Sequence, residues 1–150
     1  MIVANLMTTN VVTVSPEMPW HRAAALLYER HVSSAPVVDA QGHVVGILSE
    51  KDLFRGLFPS FREWIKAPEA YLDLEHLEEE GEGDVKTVAD VMSHQLITTR
   101  RDTPVLRIGA LMVSSGIHHV PVVEDGRLLG MVGRGDIYRA ILKKYCRIGE

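Results

Sequence analysis

Apolar residues in this chain fall in short bounded runs, and the period of the runs changes in a fixed order. "VVTV" (11–14) is a brief β-prone stretch. "PWHRAAALLYERH" (19–31) follows helical spacing, with Ala23, Leu26 and Leu27 on one stripe. "APVVDAQGHVVGIL" (35–48) is two apolar runs around a polar, glycine-containing turn, the pattern of a hairpin. "EKDLFRGLF" (50–58) returns to helical spacing. The same order recurs later. "LITT" (96–99) precedes a helix in which Val105, Ile108, Leu111, Met112 and Ser115 are helically spaced. Thr103 is expected as its N-cap, Pro104 as its first residue and Gly116 as its left-handed close. "VPVVEDGRLLGMV" (120–132) is a second hairpin and "GDIYRAILKKY" (135–145) a second closing helix.

The recurrence is a true internal repeat. Residues 3–14 align with 88–99 at an offset of 85, Met7 against Met92. One residue is lost in the hairpin turn, and an offset of 84 then pairs Gly46 with Gly130, Asp52 with Asp136 and Arg55 with Arg139. Each copy reads β-α-β-β-α. A unit of roughly 50 residues buries little core alone, so the expected fold is α+β, two such repeats packed about a pseudo-twofold axis. The repeats are placed at 1–55 and 88–150, with 56–87 as an inter-repeat insert. The insert is expected to be partly helical, with Tyr71, Leu74 and Leu77 inward and a flexible approach through Gly81 and Gly83.

Charge adds one feature. The formal net charge is −4, but 67–84 holds eight acids and no Lys or Arg, which leaves twelve acids against sixteen bases elsewhere. The acidic stretch reads as a solvated helix and loop, or as a docking site for a partner. The balance argues against nucleic-acid binding. No apolar run approaches the roughly 20 residues of a membrane span, and no signal peptide is read at the start. A single cysteine, Cys146, cannot form an internal disulfide and fits a reducing cytoplasm.

The candidate chemistry sits where the copies match. "GILSEKDL" (46–53) and "GMVGRGDI" (130–137) agree at the glycine and the aspartate and differ where Ser49 faces Gly133. Ser49 and Asp52 are spaced as a capping box, which satisfies a helix start. They also suit a ligand: an aspartate can accept from both hydroxyls of a ribose, and a helix start offers free N–H groups to a phosphate. Gly133 has no hydroxyl for a box, yet Asp136 is present, so capping explains Asp136 less well than ligand binding. Gly46 and Gly130 are read as points of close ligand approach. Neighbouring His118 and His119 point to opposite faces of a strand and lack a metal-ligand cluster, so no metal site is expected. No P-loop, nucleophile elbow or catalytic triad is present.

These two stretches, each with its "x-P-V-V" strand and its "VANLMTTNVVTV"-like lead, resemble a tandem pair of CBS domains (cystathionine-β-synthase-type), also called a Bateman module. The resemblance spans most of the chain. It implies a non-catalytic regulatory module that binds adenine nucleotides or related adenosyl ligands, with each cleft shared between repeats. One cleft would hold Ser49, Lys51 and Asp52 facing Ile97, Ile117, His118 and His119. The other would hold Gly133, Arg134 and Asp136 facing Val12, Val32, Ser33 and Ser34. The absence of a Ser or Thr at 133 implies unequal sites, the Asp136 cleft being the weaker. AMP, ADP or ATP is the expected ligand, with Mg²⁺ only if it arrives with ATP and no resident cofactor. S-adenosylmethionine or NAD is the alternative ligand, and a structural interaction module with empty clefts the alternative role. Phe54, Leu57, Phe58, Tyr138, Ile141 and Leu142 exceed what two helix faces need, which suggests that second helices pair across a homodimer interface or else that all six enter the monomer core, and an unidentified regulated protein is a further expected partner.

Overall fold

The computed structural model describes residues 1–57, 65–66, 69 and 86–149. The expected inward face of Tyr71, Leu74 and Leu77, the glycines at 81 and 83, and nearly all of the acidic stretch lie outside the described residues. In chain order the elements are a short 3₁₀ helix (Val3–Asn5), α1 (Trp20–Glu29), β1 (Ser34–Val38), β2 (Val44–Ser49), α2 (Glu50–Leu57), α3 (Val88–Val91), α4 (Val105–Ser115), β3 (His119–Glu124), β4 (Arg127–Gly133) and α5 (Arg134–Tyr145). The fold is α+β, with one two-stranded sheet, β1–β2 or β3–β4, in each repeat.

The chain forms two compact units: Met1–Val11, Val38–Val45 and Gln95–Glu150 make one, Val12–Val37 and Gly46–His94 the other. We call them the C-unit and the N-unit. The lead of each repeat therefore belongs with the body of the other. In the C-unit the backbone N–H groups of Val3 and Ala4 donate to the carbonyls of Thr103 (2.9 Å) and Arg101 (2.8 Å). Thr8 and Met131 exchange a pair of backbone hydrogen bonds at 2.8 and 2.9 Å. The N-unit repeats this with the other lead: Ala89 donates to Pro16 (2.9 Å), and Ser93 and Ile47 exchange bonds at 3.0 and 3.2 Å.

This exchange corrects the reading of two glycines. A Cβ on Gly130 would lie 2.6 Å from the Thr8 carbonyl oxygen, and one on Gly46 would lie 2.9 Å from that of Ser93. The close approach that glycine permits here is by the exchanged lead, not by a ligand.

The C-unit core is Val3, Val105, Ile108, Met112, Val120, Val122, Val132 and Ile137. Ala23 and Leu27 of α1 are buried, with Val14, Val37, Leu48, Leu53 and Val88 of the same N-unit. Three local expectations shift. The stretches at 11–14 and 96–99 each make a single parallel bridge (Val14 with Val37, Thr99 with Val122) in place of a full strand. Pro104 is the N-cap of α4, not its first residue, because its ψ of 135° is extended. Thr103 accordingly sits one position further out, where its hydroxyl accepts from the Arg100 N–H at 3.3 Å. Gly116 closes α4 at φ 71°, as expected of a left-handed C-terminal residue. Its repeat counterpart, His31, adopts φ 54° without glycine's freedom. The second hairpin turns through Asp125 and Gly126 at φ 52° and 78°, the two positive angles that Asp-Gly turns supply.

Candidate functional site

The N-unit portion is built on the start of α2. Ser49 precedes the helix and Asp52 lies in its first turn. The Ser49 N–H and hydroxyl both donate to Asp52 Oδ2, at 2.9 and 3.0 Å. The Asp52 N–H donates back to the Ser49 hydroxyl at 3.2 Å, which completes the capping box. On the other carboxylate oxygen, Arg55 approaches Oδ1 at 3.3 Å, and the Asp52 side chain is 5% exposed. Lys51 is exposed. The Ser33 carbonyl accepts from the Glu50 N–H at 2.9 Å, which ties the segment before β1 to this helix start. Beside it, the Ser34 hydroxyl is buried and has no hydrogen-bond partner among the described residues. Val12 and Val32 are half-buried in the same unit.

The C-unit portion has the same plan with different chemistry. Gly133 is the N-cap of α5, with an extended backbone and no side-chain cap. The Arg134 N–H donates to the His118 carbonyl at 2.7 Å, the counterpart of the Glu50–Ser33 bond. His119 pairs with Gly133 across the β3–β4 ladder. Asp136 Oδ1 accepts from Arg139 at 2.9 Å, and its side chain is 46% exposed. His119 is half-buried. Burial, then the neighbouring His118 and Arg134, push its pKa below the ordinary 6.5, an effect Asp136 partly opposes. His118 and Arg134 are exposed, Ile97 is half-buried, and Ile117 packs against the core.

Each unit thus gathers its own repeat's aspartate with its own repeat's pre-strand segment. Ile97, Ile117, His118 and His119 lie in the C-unit with Asp136, and Val12, Val32, Ser33 and Ser34 in the N-unit with Asp52. Two contributors were not singled out as site residues. Arg55 and Arg139 each pair with the aspartate three residues earlier, and that spacing, repeated in both copies, was the available signal. The lone hydroxyl of Ser34 carries no sequence signal, because satisfaction depends on the fold around it.

A CBS domain family model matches residues 3–58 and 88–143. The chain belongs to the CBS domain family, as a tandem pair. It is 33% identical over 130 residues to the uncharacterized protein MJ1426 of Methanocaldococcus jannaschii, covering 78% of this chain and 77% of that one. To the chloroplastic CBS domain-containing protein CBSX2 of Arabidopsis thaliana it is 29% identical over 147 residues, 89% of this chain and 60% of that one. A crystal structure of CBSX2 in complex with AMP is similar at a TM-score of 0.72 and 29% identity, covering 95% of this chain and 97% of that one. The CBS domain pair of MJ0100, solved with 5′-methylthioadenosine and S-adenosyl-L-methionine, is similar at a TM-score of 0.70 and 26% identity, covering 96% of this chain and 98% of that one. CBS pairs of this kind hold AMP or adenosyl ligands in these structures. No helix among the described residues is long and apolar enough to cross a membrane.

Proposed function

We propose that this CBS pair is a non-catalytic regulatory module that senses an adenine nucleotide (AMP, ADP or ATP) as a cytoplasmic homodimer. The observation that carries the reading is the likeness, over 95% of the chain, to a CBS pair solved with AMP. The chemistry of this chain agrees with it. An aspartate recurs at one register of the second helix in both repeats and suits a ribose diol, while Arg134, Lys51 and His119 suit a phosphate. Ser34 supplies a buried hydroxyl that no group among the described residues satisfies. Following the resemblance, Asp52 shares its ligand with Ile97, Ile117, His118 and His119, and Asp136 with Val12, Val32, Ser33 and Ser34. A nucleotide that binds one arrangement of the pair better than another shifts the population and so regulates a partner.

A second ligand class has its own support. The MJ0100 pair holds adenosyl compounds without a phosphate, and Gly133 offers no hydroxyl to a phosphate. A thermal-shift panel of AMP, ADP, ATP, S-adenosylmethionine and NAD separates these readings, since a ligand stabilises the fold it binds by mass action. Stabilisation by AMP, ADP or ATP is expected. A shift with S-adenosylmethionine alone replaces the ligand class, and no shift with any of the five on folded protein favours an interaction module with empty clefts.

A further inference from the structure

We propose that two copies of this chain pair head to tail, the α1–α2 face of the N-unit of one copy seating in the α4–α5 groove of the C-unit of the other. The inference rests on the homodimer of the proposed function and goes beyond it by assigning which faces meet.

The repeat gives each unit an equivalent helix pair, and the two pairs differ in relief. In the C-unit, Leu106, Gly109, Ala110 and Val113 of α4 and Tyr138 and Leu142 of α5 line a groove of about 600 Å³. Packing requires the glycine, since a Cβ at 109 would lie 2.7 Å from Ile141 Cδ1. The middle of α4 therefore offers the groove only bare backbone and the Ala110 methyl. Leu106, Val113 and Leu142 are exposed beside it. At the repeat offsets, 85 for the first helix and 84 for the second, Val113 corresponds to Tyr28 and Tyr138 to Phe54. The N-unit thus carries aromatic rings at the matching positions, and Tyr28 is 83% exposed and Phe54 60%. One face is a hollow with a small-residue floor, and the other is an aromatic ridge. Apolar faces that complement each other in this way bury most area when they meet crosswise.

Charge selects the same pairing. The N-unit holds fourteen acids against seven Lys and Arg, a formal −7, and the C-unit six acids against nine, a formal +3. On the helix pairs themselves, α4 and α5 carry Arg107, Arg134, Arg139, Lys143 and Lys144 against one acid, Asp136, whereas α1 and α2 carry three charges of each sign. Joining C-unit to C-unit would set two cationic faces together, and joining N-unit to N-unit two acidic units; like charges across an interface oppose association. Only N-unit on C-unit joins opposite net charges. A two-fold axis then makes both crosswise contacts at once, because residue i meeting j also means j meeting i.

Site-directed cross-linking of the full chain with a short bismaleimide tests this, on a Cys146→Ser background that removes the native exposed thiol. Tyr28→Cys and Val113→Cys replace exposed side chains, so both variants are expected to fold and to sediment as dimers. Mixing the two and letting subunits exchange is expected to give covalent dimer, and neither variant alone is expected to give any. Covalent dimer from either variant alone, or none from the mixture while the wild type sediments as a dimer, overturns the head-to-tail assignment. A wild type that sediments as a monomer overturns the homodimer reading and this inference with it.

Discussion

Ser34 is the one buried side chain among the described residues whose polar atom lacks a partner. A buried, unsatisfied hydroxyl costs about 1–3 kcal/mol. Ser34→Ala is therefore expected to leave the ligand-free protein as stable as the wild type or more so, while weakening AMP binding. Chemical denaturation and titration of the same variant check the two halves, and a variant less stable with unchanged AMP affinity would make Ser34 purely structural. His119 gives a pH dependence of definite sign. Its folded pKa is held below 6.5, so the folded state favours the neutral ring. The stability this contributes is present above 6.5 and is lost as pH falls through the lower folded value. A phosphate beside the ring pulls the other way, so protonation of His119 is expected to strengthen AMP binding, with proton uptake by the ring on binding. Titrations in buffers of different ionisation enthalpy measure that uptake, and His119→Asn is expected to abolish it. At this scale the sequence showed which residues to examine, because the repeat aligns Asp52 with Asp136 and Ser49 with Gly133. It could not show that Asp52 is buried in a helix cap while Asp136 is half exposed, since that depends on side-chain rotamers and on the packing around them.

Elements were largely legible where a period or a turn residue dictates them. The helix spacing of Val105, Ile108 and Met112, the close at Gly116 and both hairpins follow from local chemistry. The exchange of leads between repeats was not legible, because either repeat body offers an equivalent place for either lead, and only the path of the chain decides. The short stretches at 11–14 and 96–99 are β-prone, yet each finds a strand neighbour at one residue only. The exchange makes a sharp prediction about glycine. Gly130→Ala drives a methyl into the Thr8 carbonyl and is expected to cost about 1–3 kcal/mol of stability. Gly133→Ala, with room around it, is expected to be nearly neutral. Denaturant midpoints of the two variants compare them directly, and equal midpoints would mean that the lead does not seat as described.

For the whole molecule, assembly is the open expectation. The apolar excess read on the second helices divides in the C-unit: Tyr138 and Ile141 pack against the core, whereas Leu142 is half exposed. Leu106, Gly109, Ala110 and Val113 of α4 join Tyr138, Ile141 and Leu142 of α5 around a groove of about 600 Å³. Phe54 of α2 is exposed as well, while Phe58 and the Leu57 side chain lie outside the described residues. If that groove carries the homodimer, Leu142→Glu is expected to give a monomer in sedimentation, and an unchanged dimer would place the interface elsewhere. The central claim remains that this CBS pair binds an adenine nucleotide through its paired aspartates. Equilibrium dialysis of AMP against the wild type and against the Asp52→Ala/Asp136→Ala double variant tests it most directly. The account predicts saturable AMP uptake by the wild type and none by the folded double variant. Equal uptake by both, or no uptake by the wild type, would contradict it.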